Sequence, residues 1–479
     1  MGKKTKILAT VGPASDKVEI LEGLIKAGVD VFRMNFSHGT HESHSTVIKN
    51  IRQAIKNTKK NIGILQDISG PKVRVGKIDG KFELEKDDVL YFHKKEISSY
   101  KDDSGYNVSI TQPSILDLLN IDEYIYLCDG KIRTKVVQTG DVIKTIVEGG
   151  GVLSSNKGVN FPNTTIDIDI ITEKDKKDIK WGIENNVDFM AISFVQSAKD
   201  VLYAREIIDS HNGDVQVFSK IEKFDAVDNI DEIIKVSDGI MVARGDLGIE
   251  IPYFKVPAAQ KKIIKKANEA SKPVITATQM MLSMVENEVA TRAEVSDVAN
   301  AVLDGTDAVM LSEESAIGVN PIRVVETMTD TIKEIEKIYP YYKLQHFKKS
   351  DSSDVILSST ATIVQDLDIE AILAFTYSGT SARRISKYRP DTPIYAVAHS
   401  SKVARAMSIC WGVYPVTVLP QSGGSENLQS SLIKDLNNLG LLDLNKKYLL
   451  TAGHPMGIKG STNLVRVFTR EELEYYLNK

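Results

Sequence analysis

The sequence predicts an α/β protein: a (β/α)₈ TIM barrel with an inserted antiparallel β lid and a carboxyl-terminal open α/β domain. Eight short apolar runs are each followed by a segment of helical periodicity, which is the count of such a barrel. One interval between these runs is much longer than the rest, and the alternation starts again after the eighth unit. The length of 479 residues also fits about three domains.

The first two strands are predicted in the runs KILAT and VDVFRMNF. The segment between them, SDKVEILEGLIKAG, has apolar residues at helical spacing, so we predict one helix there. Ser15 or Asp16 is expected to cap its start and Gly28 its end, because these residue types favour those positions.

The other six strands of the barrel are predicted in runs that are apolar almost throughout. Such continuous runs are typical of parallel strands that are covered on both faces. In chain order the runs are NIGILQD, VDFMAISF, VQVFSKIE, DGIMVARGD, PVITATQ and DAVMLSEE.

The long interval follows the third strand. Strands starting near residues 62 and 188 are about 126 residues apart, whereas a complete βα unit takes about 30 residues. The extra residues contain alternating segments such as KFELEKDDVLYFH and DVIKTIVEGG, separated by turns that contain glycine. We therefore predict an inserted β-barrel domain over residues 71–160. Since it leaves the barrel at a carboxyl strand end, it is placed to act as a lid.

The carboxyl-terminal region begins after the polar stretch YPYYKLQHFKKSDSSD, which is typical of a linker. Its apolar runs are AILAFTY, PIYAVA, YPVTVL, KYLLTA and LVRVFT. The predicted division is therefore a barrel over 1–70 and 161–345, a lid over 71–160, and an α/β regulatory domain over 346–479.

Composition excludes several classes of protein. The 60 Lys and Arg residues nearly balance the 64 Asp and Glu residues, whereas a nucleic-acid binder carries a basic excess. The two cysteines are too few for a disulfide framework and show no metal-ligand spacing. No apolar run reaches the length that crosses a membrane, and the first residues contain no apolar stretch typical of a signal peptide. We expect a cytoplasmic protein with no membrane and no nucleic-acid partner.

Polar residues follow most of the predicted barrel strands. In a barrel such residues point towards the site at the carboxyl face. A single one often only caps exposed backbone, but a set on neighbouring strands favours a shared site. The set contains Arg33, Asn35, Ser37, Asp67, Lys220, Glu222, Arg244, Asp246, Thr276, Thr278, Ser312 and Glu314.

Two carboxylates in this set suit a divalent cation. Glu222 and Asp246 offer only acceptor oxygens, which Mg²⁺ or Mn²⁺ prefers. The alternative is a structural salt bridge between these carboxylates and Lys220. Arg33, Arg74 and Lys220 would attract phosphate and enolate oxygens. Gly245 lies at a strand-to-helix turn, where a backbone N–H can hold a carboxylate.

Over essentially its whole length the chain resembles the pyruvate kinase family. The motifs that carry the resemblance are TKILATVGPAS, FRMNFSHGTHE, GPKVR, NKGVNFP, SKIE, IMVARGDLGIE, ITATQMM, TRAEVSDVANAVLDGTDAVML and SGTSARRISKYRP. The resemblance implies transfer of a phosphoryl group from phosphoenolpyruvate to ADP in glycolysis, with Mg²⁺ or Mn²⁺ as cofactor. It also implies a homotetramer.

The resemblance implies a role for each matching residue at the substrate. Glu222 and Asp246 would hold the metal, and Gly245 and Asp246 would lie at the substrate. Arg33 would bind phosphoryl oxygens, Lys220 would stabilise the enolate oxygen, and Thr278 would lie near the carbon that is protonated. The positions that match the nucleotide side are Pro13, Asn35, His38, Arg74 and Lys157.

One departure from the family pattern concerns a monovalent cation. Many members hold potassium near positions that correspond here to Asn35, Ser37, Asp67 and Ile68. They usually carry Thr where this chain has Ile68 and Glu where it has Lys72. A Lys ammonium supplies the same single charge. Resemblance to the Lys-bearing subgroup therefore implies that potassium is not required.

The carboxyl-terminal motif TYSGTSARR has a Ser, Thr and Gly turn of the kind that holds phosphate. Such turns also simply cap helices. In the family the equivalent loop binds the phosphate of an allosteric effector. The effector remains open between fructose bisphosphate, a sugar monophosphate and AMP. The candidate residues are Thr376, Ser378, Gly379, Thr380 and Ser381, faced by the loop around 454–462.

Two other functions remain as alternatives. A metal-dependent barrel lyase or aldolase that forms a pyruvate enolate would use the same carboxylates, but would need neither the lid nor a nucleotide. A catalytically silent sensor would use only the carboxyl-terminal domain. Lys220, Glu222, Asp246 and Thr278 would then have no task, which argues against a sensor.

Overall fold

The structure, a computed structural model, describes residues 2–162, 164–166, 169–342, 347–419, 425–454 and 462–479. Its first elements alternate strand and helix, as the sequence predicts. They are β1 (Lys6–Thr10), α1 (Val18–Ala27), β2 (Val31–Asn35), α2 (His41–Thr58) and β3 (Gly63–Asp67).

The two ends of α1 test the predicted caps. Gly28 ends the helix with φ 127°, a conformation that suits glycine, so this prediction is confirmed. The predicted cap at Ser15 or Asp16 is wrong, because the residue before the helix is Lys17, which makes no side-chain cap. Ser15 instead accepts a hydrogen bond from the N–H of Gly12 in the preceding loop.

The lid follows β3. Its main sheet has seven strands in the order β12-β8-β9-β10-β5-β7-β6, and β11 pairs with β4 in a second sheet. Neighbouring strands are antiparallel except β5 and β7, which are parallel. The strands are β4 (Phe82–Leu84), β5 (Val89–His93), β6 (Tyr100–Asp102), β7 (Gly105–Ser109), β8 (Tyr124–Leu127), β9 (Ile132–Gln138), β10 (Val142–Gly149), β11 (Gly151–Leu153) and β12 (Val159–Asn160).

The second half of the barrel returns to alternating elements. They are α3 (Glu173–Glu184), β13 (Phe189–Ile192), α4 (Ala198–Ser210), β14 (Gln216–Ile221), α5 (Phe224–Asp228), α6 (Ile230–Val236), β15 (Gly239–Ala243), α7 (Arg244–Glu250), α8 (Val256–Glu269), β16 (Val274–Ala277), α9 (Arg292–Asp304), β17 (Ala308–Leu311), α10 (Glu313–Ala316) and α11 (Pro321–Glu336).

Eight parallel strands close into one barrel in the order β1-β17-β16-β15-β14-β13-β3-β2, which confirms the predicted fold class. Their side chains are buried almost throughout, as the apolar runs predict, because helices cover the outside of the sheet. Because the strands are parallel, all eight carboxyl ends lie on one face. In the register between β2 and β3, Asn35 is opposite Asp67.

The carboxyl-terminal domain is one five-stranded sheet flanked by helices. The strand order is β20-β19-β18-β21-β22, and only the β21–β22 pair is antiparallel. The elements are α12 (Ser352–Asp366), β18 (Ile369–Thr376), α13 (Thr380–Ser386), β19 (Ile394–Ala398), α14 (Ser401–Ala406), β20 (Val413–Val418), α15 (Ser425–Asn438), β21 (Lys447–Gly453), β22 (Thr462–Phe468) and α16 (Arg470–Asn478).

A buried arginine joins this domain to the base of the barrel. Arg389 is 1% exposed, and its guanidinium donates to Asp307 Oδ1 at 3.1 Å and to Asn268 Oδ1 at 2.8 Å. The N–H of Trp411 donates to the same Asp307 oxygen. A buried charge is stable only when paired in this way, so the joint is specific. In the described ranges we find no helix with the length and apolarity that would cross a membrane.

Candidate active site

The carboxyl ends of four neighbouring barrel strands bring a charged network together. Asp67 ends β3, Lys220 lies in β14, and Glu222 follows one residue after that strand. Arg33 lies in β2 beside them. Since β2, β3, β13 and β14 are consecutive in the barrel, their carboxyl ends meet at one edge of its mouth.

Asp67 bridges the two cations. Its Oδ2 accepts from Arg33 Nε at 2.8 Å, and its Oδ1 lies 3.2 Å from Lys220 Nζ. Burial alone would raise the pKa of Asp67, but the Lys220 ammonium and the Arg33 guanidinium hold it below its usual value. Arg33 also donates to Thr10 Oγ1 at 2.9 Å, which fixes its guanidinium plane.

Lys220 is held as an ammonium by two carboxylates. Its Nζ lies 2.8 Å from Glu222 Oε1 as well as 3.2 Å from Asp67 Oδ1. Burial would lower the pKa of Lys220, but these two carboxylates raise it well above its usual value. The salt bridge considered as the alternative is therefore present between Lys220 and Glu222.

Glu222 is 1% exposed and is held at both oxygens. Its Oε1 contacts Lys220, and its Oε2 accepts from the N–H of Phe194 at 2.8 Å. Burial raises the pKa of Glu222; Lys220 opposes this shift, whereas the nearby Asp246 carboxylate adds to it. A cation placed between two carboxylates offsets such repulsion.

The donor set at this edge fits a divalent ion. Within the described ranges, no group of three His, Cys, Asp or Glu side chains could hold a metal. Glu222 and Asp246 remain the two carboxylates predicted for an ion at the mouth. Mg²⁺ commonly takes one or two carboxylates and completes its shell with substrate oxygens and water.

Thr278 and Gly245 are already bonded to each other. The N–H of Gly245 donates to Thr278 Oγ1 at 2.8 Å, and that hydroxyl donates to the carbonyl of Ala277 at 2.6 Å. Thr278 also has φ 70°, which is unusual for a β-branched residue. A ligand that needs the Gly245 N–H must displace this hydroxyl.

Thr276 and Arg244 differ in where their side chains lie. Thr276 Oγ1 is buried and donates to Thr306 Oγ1 at 3.0 Å, so the expectation that it faces the shared site is wrong. Arg244 makes two 2.7 Å contacts with Asp297 and donates to the carbonyl of Thr278, which supports the backbone there. Arg244 also lies beside Gly245 and Asp246 in the lining of one cavity.

A cavity of about 910 Å³ extends from the mouth. Barrel residues Gly245, Asp246 and Thr278 line it together with Asp129 of the lid. A Cβ placed on Gly130 of the same lid turn would lie 3.6 Å from Ile249 of α7, so the lid reaches over the barrel. The space is large enough for a small molecule bound between lid and barrel.

The residues predicted for the nucleotide form two groups. Arg74 and Lys157 lie together on the lid side, where Arg74 donates to the carbonyl of Asn156 at 2.9 Å and the carbonyl of Lys157 accepts from Val75. The barrel residues follow the first two strands: Pro13 and His38 are exposed, and Asn35 is partly buried. In this second group Asn35 Oδ1 accepts from the N–H of Ser37 at 3.1 Å.

Lys72, at the start of the lid, is paired within the lid in this structure. Its Nζ lies 3.9 Å from Asp129 Oδ1, in an exposed pair with the turn between β8 and β9. Ile68, directly after β3, is 1% exposed and packs in the barrel core. Its carbonyl accepts from Ser193 Oγ at 2.7 Å. Neither contact tests whether potassium is required.

The loop after β18 brings hydroxyl groups together. Ser378 Oγ lies 3.0 Å from Thr380 Oγ1, and Ser381 Oγ lies 2.7 Å from Thr462 Oγ1. Gly379 has φ 83°, which glycine adopts without strain. Thr376 is buried at the end of the strand. Of the facing loop, residues 455–461 lie outside the described residues.

Two residues at the mouth were missed by the sequence analysis. Thr10 ends β1 and contacts Arg33, and Ser193 directly follows β13 and contacts Lys220. Both obey the strand-end rule that found the others, so applying it to the first and fourth strands would have identified them. Lys223 was also missed; its Nζ lies 3.8 Å from Glu250 Oε2 beneath the lid hinge.

Comparison with known proteins identifies the family of this chain. The family model for the pyruvate kinase barrel domain matches residues 2–325, and that for the pyruvate kinase alpha/beta domain matches residues 354–468. Pyruvate kinase of Geobacillus stearothermophilus is 42% identical, with 99% of this chain and 81% of that protein covered. Pyruvate kinase of Staphylococcus epidermidis is also 42% identical, covering 97% of this chain and 80% of its own length.

A solved structure agrees. The crystal structure of a pyruvate kinase from Cryptosporidium parvum has a TM-score of 0.91 and 36% identity, and covers 98% of this chain and 96% of its own. These proteins are phosphotransferases by name. Two family models over most of the chain, together with these relatives, show that this chain belongs to the pyruvate kinase family.

Proposed function

We propose that this protein transfers the phosphoryl group of phosphoenolpyruvate to ADP, giving pyruvate and ATP, with Mg²⁺ or Mn²⁺ as cofactor. The observation that carries the proposal is the buried contact of Lys220 with Asp67 and Glu222 at the barrel mouth. Phosphoryl transfer needs positioned positive charge more than covalent chemistry from the protein. A fixed ammonium between two carboxylates beside Asp246 provides that charge.

The reacting groups have natural places at this mouth. Glu222 and Asp246 would hold the divalent ion, which neutralises charge on substrate carboxylate and phosphate oxygens when bound. Arg33, fixed by Asp67 and Thr10, would hold phosphoryl oxygens. The bond between phosphorus and the enol oxygen breaks as ADP attacks, and Lys220 would stabilise the negative enol oxygen.

After transfer the enolate must gain a proton at its methylene carbon. Thr278 would lie near that carbon, with its hydroxyl released from Gly245 when the substrate carboxylate takes that N–H. The nucleotide would bind between the lid and the barrel, with Arg74 and Lys157 on the lid side and Pro13, Asn35 and His38 on the barrel side. This excludes water from the transferring group.

A coupled assay separates this function from a lyase or aldolase. Pyruvate formation from phosphoenolpyruvate is followed through lactate dehydrogenase, with and without ADP, in the presence of Mg²⁺. We expect pyruvate only when ADP is present. Pyruvate formation at an equal rate without ADP would contradict the proposal, and so would an enzyme that cleaves a larger 2-oxo acid but not phosphoenolpyruvate.

We also propose that turnover does not require potassium. The support is the sequence departure at Ile68 and Lys72, whose ammonium would supply a charge beside Asn35, Ser37 and Asp67. For this, Lys72 would leave its exposed contact with Asp129 as the lid changes position. An exposed pair of this kind costs little to break.

The potassium requirement is tested by measuring turnover in sodium-free buffer with and without added potassium. Wild-type turnover should change less than about twofold when potassium is added. Lys72→Glu should lose activity that potassium partly restores, because the position then carries a negative charge that a cation can balance. Lys81→Glu, the same change at an exposed lid position, is the control. Large activation of the wild type by potassium would contradict the proposal.

The finer regulatory and cellular features are proposals of the same kind. A phosphorylated effector would bind the loop with Thr376, Ser378, Gly379, Thr380 and Ser381. The protein would act in glycolysis, in the cytoplasm, as a homotetramer. The division into a barrel over 1–70 and 161–345, a lid over 71–160 and a regulatory domain over 346–479 belongs to this proposal.

Loss of hydroxyl groups tests the effector loop. Fructose bisphosphate, ribose 5-phosphate and AMP are added to wild type at limiting phosphoenolpyruvate. We expect activation by at least one, and its loss in Thr380→Ala/Ser381→Ala with basal turnover retained. Ser359→Ala/Thr362→Ala, which removes hydroxyls from α12, is the control. Activation that survives in the loop variant would contradict this site.

A further inference from the structure

Ser193 lies at the end of the fourth barrel strand and has no role in the function proposed above. It directly follows β13 and is 2% exposed, so its hydroxyl cannot rely on bulk water. A buried hydroxyl must find protein partners. Both of its partners are parts of the barrel mouth.

The hydroxyl has a fixed direction. Ser193 Oγ donates its one hydrogen to the carbonyl of Ile68 at 2.7 Å. Its lone pairs are then free to accept, and Lys220 Nζ lies 2.7 Å from the same oxygen. Since Ile68 follows Asp67 at the end of β3, the serine connects that strand to the lysine of β14.

Lys220 thus has three acceptors for its three N–H groups. The distances from Nζ are 2.7 Å to Ser193 Oγ, 2.8 Å to Glu222 Oε1 and 3.2 Å to Asp67 Oδ1. An ammonium group has three donors and no acceptor. Its position is therefore set by all three contacts, of which the serine is the only neutral one.

The neutral contact with Ser193 matters when the carboxylates ligate a metal ion. On the proposed function, Glu222 would bind a divalent ion and Lys220 would donate a hydrogen bond to a substrate oxygen. The contact with Glu222 then weakens. Ser193 Oγ is already engaged by the carbonyl of Ile68 and by Lys220 Nζ, and it carries no charge that would draw it to the ion. It can hold Lys220 in place before and after the ion binds.

The next residue holds the metal-side carboxylate. Phe194 donates its N–H to Glu222 Oε2 at 2.8 Å and has φ 59°, which is rare for an aromatic residue. Gly70, at the start of the lid, packs against this corner, since a Cβ there would lie 2.7 Å from Phe194 Cδ2. A backbone held in an unusual conformation is typical of a functional site.

We propose that Ser193 is a positioning residue for Lys220: its hydroxyl, oriented by the carbonyl of Ile68, keeps the ammonium aligned with the phosphoryl group during transfer. Ser193 does not touch the substrate in this account. Its effect appears in kcat, because alignment matters most in the transition state. The inference rests on the proposed function.

Three variants test it. Ser193→Ala removes the acceptor and should lower kcat about 10- to 100-fold, the range for a hydrogen bond to a charged group. Ser193→Thr keeps the hydroxyl and should retain most of kcat. Ser219→Ala is the matched control, because Ser219 is equally buried on β14 but bonds Ser237, so its kcat should equal that of wild type.

Stability separates positioning from packing. If Ser193 only fills space, Ser193→Thr, which adds a methyl group, should lower both kcat and the thermal midpoint more than Ser193→Ala does. Positioning predicts the opposite order in kcat, Thr above Ala, whatever the order of thermal midpoints. If Ser193→Ala does not fold, the comparison of Ser193→Thr with wild type still decides, since its kcat must stay within about threefold.

Failure of the inference differs from failure of the proposed function. Wild type that makes no pyruvate from phosphoenolpyruvate and ADP contradicts the function itself. Active wild type together with Ser193→Ala within twofold of it overturns the role of Ser193. So does a Ser219→Ala variant with the same loss, or a Ser193→Thr variant that is less active than Ser193→Ala.

Discussion

The barrel mouth and the loop after β18 both lie at the carboxyl ends of parallel strands, yet they are built from different chemistry. At the mouth, buried charged groups are packed in contact: Asp67 touches both Arg33 and Lys220, and Lys220 touches Glu222. At the loop, hydroxyls contact one another, as those of Ser381 and Thr462 do, and Arg383 donates to Thr380 Oγ1 at 3.3 Å. Both sites lie at carboxyl strand ends, where α/β proteins bind ligands.

The difference indicates two tasks. Buried charges are costly unless paired, and a site that holds them fixed is suited to stabilising charge that develops during a reaction. Hydroxyls and backbone N–H groups suit binding without chemistry. In the carboxyl-terminal domain a buried ion pair exists, but it lies away from the loop: Lys387 Nζ is 2.9 Å from Asp354 Oδ2 on α12. There the charges support the fold.

Replacing Lys220 is expected to have the largest effect. Lys220→Met removes the only ammonium that contacts both Asp67 and Glu222 among the described residues. We expect kcat to fall by about 10³-fold or more, the size of effect when a charged group at a transferring phosphoryl is removed. The measurement is steady-state turnover of ADP and phosphoenolpyruvate.

The control for Lys220 is Lys235→Met, the same change at an exposed position of α6. Its kcat should match that of wild type. A thermal scan of both variants shows whether they are folded. If Lys220→Met keeps more than a tenth of wild-type turnover, the charges at the barrel mouth do not have the catalytic role that distinguishes this region from the loop after β18.

Replacing Lys387 should change stability rather than turnover. Lys387→Met leaves the buried carboxylate of Asp354 without its cation, which costs about 3 kcal/mol of unfolding free energy. Urea unfolding is followed by Trp411 fluorescence. The Trp181→Phe background removes the other tryptophan, so the signal reports unfolding of the carboxyl-terminal domain. Initial turnover of the folded enzyme should stay close to that of wild type.

Lys402→Met provides the comparison for Lys387. Lys402 pairs at 3.1 Å with Asp214, whose side chain is almost fully exposed. An exposed pair contributes little, so this variant should lose less than about 1 kcal/mol. Equal losses for the two lysines, or a large fall in kcat for Lys387→Met, would contradict a purely structural role.

Lowering the pH should have a smaller effect than replacing Lys220 or Lys387, and it should act on the free energy of unfolding. Burial would raise the pKa of Asp354, but hydrogen bonds from Lys387, Ser350 and Tyr388 hold it below its usual value. A depressed pKa stabilises the folded state above the pKa of an unfolded Asp, about 4. That contribution is lost as the pH falls through the lower folded pKa.

The same Trp411 signal, measured from about pH 6 to pH 3, tests this sign. In the Trp181→Phe protein, the urea concentration at the unfolding midpoint should decrease once the pH is lowered below about 4. The same protein with Asp354→Asn should show a smaller decrease. A parent midpoint that rises as the pH falls towards 3 would show that the sign is wrong.

Much of the mouth could be predicted because its residues obey a rule that depends on sequence alone. Asp67, Lys220 and Glu222 each stand at or just after the end of an apolar run, and the barrel closes those ends onto one face. The rule does not give the side of the strand on which a side chain lies. Thr276 lies at such an end, but the alternation of side chains along β16 turns it towards Thr306.

Contacts between distant segments could not be predicted in this way. The pair of Lys72 with Asp129 depends on how the lid folds, and the link from Ser193 to Ile68 depends on which strands are neighbours. The cap of α1 failed for a local reason, since Ser15 bonds Gly12 before the helix begins. Sequence patterns give the type of group at a strand end, whereas its partner requires the fold.

The most direct test of the central claim follows the phosphoryl group itself by ³¹P NMR. Phosphoenolpyruvate, ADP and Mg²⁺ are mixed with wild-type protein and, separately, with Lys220→Met. We predict that the phosphoenolpyruvate signal decays as the γ-phosphate signal of ATP grows in equal amount, and that Lys220→Met shows neither change on the same timescale. Loss of phosphoenolpyruvate to inorganic phosphate, or equal transfer by Lys220→Met, would contradict the assignment of phosphoryl transfer to the barrel mouth.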